Sequence, residues 1–220
     1  MTIVLSPHSV KPEDAPKQLL TMRFLSDLNY QAHRDGRAVA ICRVWCIDDT
    51  SYEHMIRSLW SCTDDIIIIE HDIVPSIAQY YEIMDCPHQF CAGVYYLFYE
   101  GWKEPVYSAS YWIGSEIHQV KEGDEYCQWP SLGFVKFGAP RPKLTLDDGY
   151  IDGRDHSWNN LDGALQGTFL DNLWVEAGRP NRDEFKPWHL HWPIVTHNTP
   201  LLQKFERIRM PLWHKDTTSK

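Results

Sequence analysis

The sequence lacks the long apolar run that a membrane helix needs, because no hydrophobic stretch approaches roughly 18 residues. Its first residues also lack the basic start and apolar stretch of a secretory signal. We therefore expect no membrane span and a cytoplasmic location. Internal repeats and low-complexity tracts are missing as well, which argues against a repeat protein or a disordered linker.

Positive charge is scarce: the formal net charge is -9 and the sequence pI is about 5.6. Such a surface repels a phosphate backbone, so nonspecific binding to nucleic acid is not expected. Closely spaced cysteine pairs are missing too. Without a CxxC pair or a secretory signal, the pattern favours reduced, partly buried thiols over a zinc cluster. The six cysteines are Cys42, Cys46, Cys62, Cys86, Cys91 and Cys127.

The residues that are present describe an ordinary globular protein of 220 residues, with 43% hydrophobic and 23% charged side chains. This length favours a single domain, residues 1–220. The ten tryptophans, eleven tyrosines and eleven histidines are many for this length. Aromatic rings with polar edges suit sugar surfaces, and core packing explains them equally well.

The first hundred residues alternate between apolar runs and helical patterns, which predicts a doubly wound α/β sheet. We expect a first strand that Pro7 ends, a helix ending near Gly36, and a strand RAVAICRVW buried on both faces. SYEHMIRSLWSC and SIAQYYEIMDC predict helices, while IIII and FCAGVYYLFY predict strands. After residue 100 the pattern becomes irregular or antiparallel, with LGFVKFG as a strand.

Three ionisable residues, Glu70, His71 and Asp72, directly follow the four isoleucines of the predicted central strand. Ligands of open α/β sheets bind at the carboxyl edge of the strands. Two carboxylates two residues apart at this edge can bind a divalent cation together with a ribose or phosphate oxygen, and their hard oxygens suit Mg²⁺ or Mn²⁺. Acidic residues also follow strands simply because they form turns, so a purely structural role of Glu70 and Asp72 remains an alternative.

A second acidic residue stands out because it falls on the apolar face of a predicted helix, SWNNLDGALQGTFLDNLWVE. At about 100° per residue, Asp162 projects between Phe169 and Leu173. An inward carboxylate whose proton affinity is set by its surroundings can act as a general base. A structural anchor, bonded to a backbone amide or an arginine, is the alternative.

Histidines concentrate near the end of the chain, in KPWHLHWPIVTHNTP. His189 and His191 share a face if this segment is a strand, and His197 follows six residues after His191. Neutral imidazoles bind first-row metals. Histidines beside tryptophans are also common packing residues, so the pattern alone does not decide between the two roles.

Five segments, TIVLSP, IIIIEHDIVP, LGFVKFG, WNNLDGALQGTFL and HLHWPIVTHN, follow one another in the order expected of a compact GT-A glycosyltransferase. The chain resembles that family, including its small virus- and phage-encoded members, and EHD resembles its DxD motif with Glu70 in first place. The resemblance implies a GT-A-like α/β fold: a mostly parallel central sheet flanked by helices, with a smaller irregular or antiparallel C-terminal part. Residues 1–100 would then bind the nucleotide-sugar and residues 101–220 the acceptor.

The same resemblance implies an inverting, metal-dependent transfer of a sugar from a nucleotide-diphosphate donor to an acceptor hydroxyl. Asp72 and His197 would hold Mn²⁺ or Mg²⁺, with His191 as a substitute or outer contact. Glu70 would lie nearer the donor sugar or ribose, or reach the metal through water, with His71 beside the donor. Asp162 would be the base.

The acceptor stays open between a glycan, a protein and a modified nucleobase, and so does the oligomeric state. A viral origin would place the protein in the host cytoplasm. Two other functions remain as alternatives. A metal-dependent phosphoesterase or nucleotidyltransferase could use the same acids and histidines. A carbohydrate-binding module would use the aromatic rings without catalysis.

Overall fold

The protein is represented by a computed structural model that describes residues 1–47, 49–98, 103–141 and 173–199. Its longer helices within these ranges are α1 (Ala15–Arg34), α2 (Asp49–Trp60) and α3 (Ile77–Asp85). A short 3-10 helix, Pro12–Asp14, precedes α1, and residues 173–176 are also helical. The strands in the first hundred residues are β1 (Thr2–Ser9), β2 (Val39–Cys46), β3 (Asp65–Ile69), β4 (Ile73–Val74) and β5 (Phe90–Leu97). The later strands are β6 (Val106–Tyr107), β7 (Ala109–Ile113), β8 (Glu116–Gln119), β9 (Tyr126–Cys127), β10 (Trp129–Pro130), β11 (Phe134–Phe137) and β12 (Trp188–His197).

The fold is mixed α/β, with a central, largely parallel sheet in the order β2-β1-β3-β11-β5-β12-β4. β1 runs parallel to β2 and β3, and β12 runs parallel to β5. β11 lies antiparallel between β3 and β5. The carboxyl ends of β1, β2, β3, β5 and β12 therefore lie at one edge of the sheet, where ligands of α/β proteins bind.

Helices cover both faces of this sheet, and the isoleucine strand shows why. Ile66 and Ile68 pack with Met55 of α2 on one face, whereas Ile67 and Ile69 pack with α1 and α3 on the other. Successive side chains of a strand point to opposite faces, so a strand covered twice is apolar at every position. Each such buried isoleucine contributes about 1.5–3 kcal/mol.

Three expectations need correction. β1 does not end at Pro7 but continues to Ser9. Beyond Leu5 this strand pairs with β2 and not with β3, so a proline, which has no N–H to donate, is tolerated there. β2 is an edge strand instead of a strand buried on both faces, and Trp45 on it is 56% exposed. The small antiparallel sheet, in the order β10-β7-β8, lies after residue 100 as expected, but β11 and β12 from the same half of the chain belong to the central sheet.

Most of the helix predicted over residues 157–176, including Asp162, lies outside the described residues, whereas its last four residues, 173–176, are described and helical. Within the described ranges, no helix combines the length and apolarity needed to cross a membrane.

Candidate metal and donor site

The acidic segment lies where the sequence predicts it, directly after β3 at the carboxyl edge of the sheet. The Glu70 backbone N–H donates to the Gly133 carbonyl at 2.9 Å, and the Glu70 carbonyl accepts from Ile73 N–H at 3.0 Å. These bonds close a tight turn that contains His71 and Asp72. The turn leads into β4, whose residue Ile73 pairs with His197 at the end of β12.

This pairing brings together two of the predicted metal ligands, Asp72 and His197. The His197 Nε2 atom lies 3.3 Å from the Asp72 Oδ2 atom, and the two side chains are 13% and 15% exposed. The Asp72 carbonyl also accepts from the Asn198 N–H at 2.6 Å, so the contact is fixed at the backbone level. Burial alone would raise the pKa of Asp72, but the hydrogen bond and charge of His197 outweigh it and hold that pKa below its ordinary value.

The other ring nitrogen of His197 determines what this contact can do. His197 Nδ1 lies 2.7 Å from the Tyr96 carbonyl oxygen, which can only accept, so Nδ1 carries a proton and donates. In the neutral imidazole, Nε2 therefore carries a lone pair, and this lone pair faces the Asp72 carboxylate oxygen. Two acceptors in contact need a cation between or beside them: either a second proton on the imidazole or a metal ion bound by both groups.

The spacing fits a metal. Ligands at 2.0–2.2 Å in adjacent octahedral positions lie about 3.0 Å apart, close to the observed 3.3 Å. The Tyr95 ring packs edge-on against His197 with 5.3 Å between centroids, which limits rotation of the imidazole. Asp72 and His197 can therefore supply two ligands of a mixed oxygen and nitrogen site.

A cavity of about 270 Å³ opens beside the ends of β1 and β2, lined by His8, Met22, Arg43 and Trp45. His71 lies near both this cavity and the acidic segment. Burial is the main cause that lowers the pKa of His8, and His197 is the main cause that lowers the pKa of Asp72, but the charge of His71 adds a smaller decrease to each. The cavity offers a guanidinium, which attracts phosphate, and a half-exposed indole, on which a flat ring can stack. The predictions based on the sequence did not include Arg43 and Trp45 in the site, because the strand was expected to be buried.

Glu70 and His71, the predicted donor-binding residues, are both half-buried in this turn. Asp162, the predicted base, lies outside the described residues. His191 does not join Asp72: its Nδ1 lies 3.3 Å from Glu82 Oε1.

A second group of potential ligands lies near the beginning of β12. Cys86, Cys91, His189 and His191 place one ligand atom each within 4.8 Å of one another. The cysteines are free and buried or half-buried, as expected, but the sequence did not predict that two of them would lie beside two histidines. The sequence contained a partial signal, the shared face of His189 and His191, but nothing in it showed that β12 lies next to β5.

No family model matches this chain, and no curated protein matches it. The solved structures that are similar to this chain include the following two. The crystal structure of A197 from STIV is 10% identical, with a TM-score of 0.49, covering 86% of this chain and 81% of its own. A Bacillus anthracis structure, described as a glucose-1-phosphate thymidylyltransferase in complex with a sucrose, is 9% identical, with a TM-score of 0.41, covering 100% of this chain and 97% of its own. At these values neither likeness indicates a substrate or reaction for this chain.

Proposed function

We propose that this protein is a metal-dependent glycosyltransferase that takes a sugar from a nucleotide-diphosphate donor. The observation that carries the proposal is the contact between Asp72 Oδ2 and His197 Nε2 at 3.3 Å, with His197 Nδ1 held by the Tyr96 carbonyl. It supplies two converging acceptors at the edge of the sheet where ligands bind. The mostly parallel sheet and the position of the acidic segment support a GT-A-like arrangement.

The donor nucleotide is proposed to occupy the cavity beside the metal site. Trp45 offers an exposed face for the base, and Arg43 offers a cation for the diphosphate. Glu70 and His71, which directly precede Asp72 in the turn after β3, are proposed to contact the donor sugar or ribose. The acceptor would then approach from the side of residues 101–220.

The proposed reaction is a single displacement at the anomeric carbon. Asp72 and His197 would hold the divalent cation that the donor diphosphate requires. When bound, Mn²⁺ or Mg²⁺ offsets the negative charge that develops on the leaving nucleoside diphosphate. Asp162 is proposed to remove the proton of the acceptor hydroxyl as the carbon–oxygen bond forms. Inversion at the anomeric carbon follows from the single displacement.

The proposal is tested by measuring the melting temperature of the full chain with a panel of nucleotide-sugars, each in Mn²⁺ and in EDTA. A ligand that binds the native state raises its melting temperature, so the correct donor should raise Tm more in Mn²⁺ than in EDTA. The stabilising donor is then incubated with the protein, and the products are separated. Release of a nucleoside diphosphate supports glycosyl transfer or donor hydrolysis. A panel in which no donor shows a Mn²⁺-dependent shift contradicts the proposal.

The same products distinguish the alternative functions. Release of pyrophosphate from a nucleoside triphosphate and a sugar phosphate would identify a nucleotidyltransferase. Sugar-dependent stabilisation that persists in EDTA, without turnover, would identify a carbohydrate-binding module.

A further inference from the structure

We infer that Cys86, Cys91, His189 and His191 form a structural Zn²⁺ site that is separate from the Asp72–His197 site. All four potential ligand atoms lie within 4.8 Å of one another. Two thiols and two imidazoles are the ligand set of many structural zinc sites, in which four protein ligands complete a tetrahedron. The candidate metal at Asp72 has a harder, oxygen-containing ligand set, so the two sites should select different metals.

The interatomic distances fit a tetrahedral ion. Cys86 Sγ lies 3.4 Å from His189 Nδ1, and His189 Nδ1 lies 3.2 Å from His191 Nε2. Around zinc, with Zn–S near 2.3 Å and Zn–N near 2.0 Å, neighbouring sulfur and nitrogen ligands lie about 3.6 Å apart and two nitrogens about 3.3 Å apart. Cys86, His189 and His191 therefore already stand at about the spacing that a shared ion requires, and the Cys91 sulfur lies within 4.8 Å of all three ligand atoms.

The sheet topology explains why these residues meet. β5 and β12 are parallel neighbours, and Cys91 lies directly opposite His189 in their register. His191 follows on the same face of β12, opposite Gly93. Cys86 is the C-cap residue of α3, which packs against this face. The ligands thus come from three elements, and a metal would join all three.

The surroundings are those of a bound metal. His191 Nδ1 lies 3.3 Å from the Glu82 carboxylate, which leaves its Nε2 lone pair directed at the cluster. Metal-bound histidines usually have such a carboxylate on the opposite nitrogen. Lys136, which is only 3% exposed, donates to the Cys86 carbonyl at 2.6 Å. That hydrogen bond holds the backbone of Cys86 in place at the end of α3.

The site lies near the start of β12, whereas His197 lies at its end. Zinc would therefore hold the strand that carries His197 against α3 and β5. With four protein ligands and no open position, the ion would have a structural role instead of a catalytic one.

Metal analysis of the full chain, purified under reducing conditions without a histidine tag, tests the inference. We expect one equivalent of zinc per chain that survives EDTA concentrations sufficient to strip Mn²⁺. Zinc-edge X-ray absorption of the wild type should show two sulfur ligands near 2.3 Å and two nitrogen ligands near 2.0 Å. Substitution of Co²⁺ should give the visible bands of a tetrahedral ion and a thiolate charge-transfer band.

Cys86→Ser and His191→Gln should each lose the zinc, while the matched controls Cys42→Ser and His33→Gln should keep it. If the ligand variants fail to fold, the X-ray absorption and cobalt spectra of the wild type still show whether two sulfur and two nitrogen ligands bind the ion. Folded, reduced protein that takes up neither zinc nor cobalt would overturn the inference. The inference would also be overturned by bound zinc that has no sulfur ligand, or by full zinc content in both ligand variants. A Cys86–Cys91 disulfide that re-forms as soon as the reductant is removed would overturn it as well. None of these results bears on Mn²⁺ binding at Asp72, so the two proposals fail separately.

Discussion

The His197 Nε2 atom faces the Asp72 Oδ2 atom at 3.3 Å across 125 residues of sequence, and the backbone on both sides fixes this contact. Tyr96 holds the far side of the imidazole, and Asn198 holds the Asp72 carbonyl. The pairing of β4 with β12 therefore holds the backbones of these two residues beside each other.

The first prediction concerns Mn²⁺ binding by this pair. Asp72→Asn and His197→Gln each remove one ligand but keep the approximate shape of the side chain. We expect each to weaken Mn²⁺ binding, measured by calorimetry or by electron paramagnetic resonance, by at least about tenfold. Asp27→Asn and His33→Gln change exposed residues of α1 and serve as controls. Unchanged Mn²⁺ affinity in both ligand variants would show that the pair is only an ion pair.

The second prediction concerns the cavity at the end of β2. Trp45→Ala removes a ring that is 56% exposed, so it should leave the melting temperature within a few degrees of the wild type. It should weaken binding of the nucleotide by about tenfold, since stacking of one base contributes about 1–3 kcal/mol. Arg43→Ala should weaken binding of the nucleoside diphosphate more than that of the nucleoside. Ile47→Ala, at a side chain 72% exposed that does not line the cavity, is the control.

The third prediction concerns the close packing beneath His197. A Cβ atom at Gly133 would lie 2.4 Å from Tyr95 Oη and 2.9 Å from Ile73 Cγ1. Gly133→Ala should therefore lower the free energy of unfolding by about 1–3 kcal/mol in urea titrations.

A double-mutant cycle separates this clash from a general backbone effect. Tyr95→Phe removes the hydroxyl that makes the shortest contact and that also accepts from Gly133 N–H at 3.1 Å. The cost of Gly133→Ala should be smaller in the Tyr95→Phe background. Strictly additive losses would mean that the hydroxyl is not the obstacle.

The fourth prediction concerns acid stability and Asp14, which accepts from Lys17 Nζ at 2.8 Å. Burial alone would raise the pKa of Asp14, but hydrogen bonds from Lys17 and Ser9 outweigh it and hold that pKa below its ordinary value. The unfolded chain therefore binds this proton first as the pH falls, near pH 3.9. The stability that ionised Asp14 contributes is present above that pH and is lost as the pH falls towards the lower folded pKa.

Asp14→Asn should accordingly be less stable than the wild type by roughly 0.5–1 kcal/mol near pH 7. The difference should shrink as the pH falls from about 4 to 3. Urea unfolding in EDTA at several pH values measures this gap, with Asp27→Asn as the exposed control. A gap that stays constant over the whole range would contradict the assignment.

Much of the fold could be predicted locally. The periodicity of α1 and α3 and the unbroken isoleucines of β3 depend on neighbours along the chain, so their patterns indicate helix and strand directly. Two long-range features could not be predicted in this way. The edge position of β2 depends on which strands flank it, and the insertion of β11 between β3 and β5 depends on the order of strands in space.

The two candidate sites show the same difference between local and long-range information. The residue types are visible along the chain: carboxylates directly after a buried strand, and histidines at alternating positions of a later one. Which of these residues meet depends on the order of the strands in the folded sheet. Through the pairing of β4 with β12 the tertiary structure placed His197 beside Asp72, and through the pairing of β5 with β12 it placed His189 beside Cys91. The physical reason is that a strand's own pattern specifies which face each side chain occupies, whereas its neighbour in the sheet is selected by packing of the whole core.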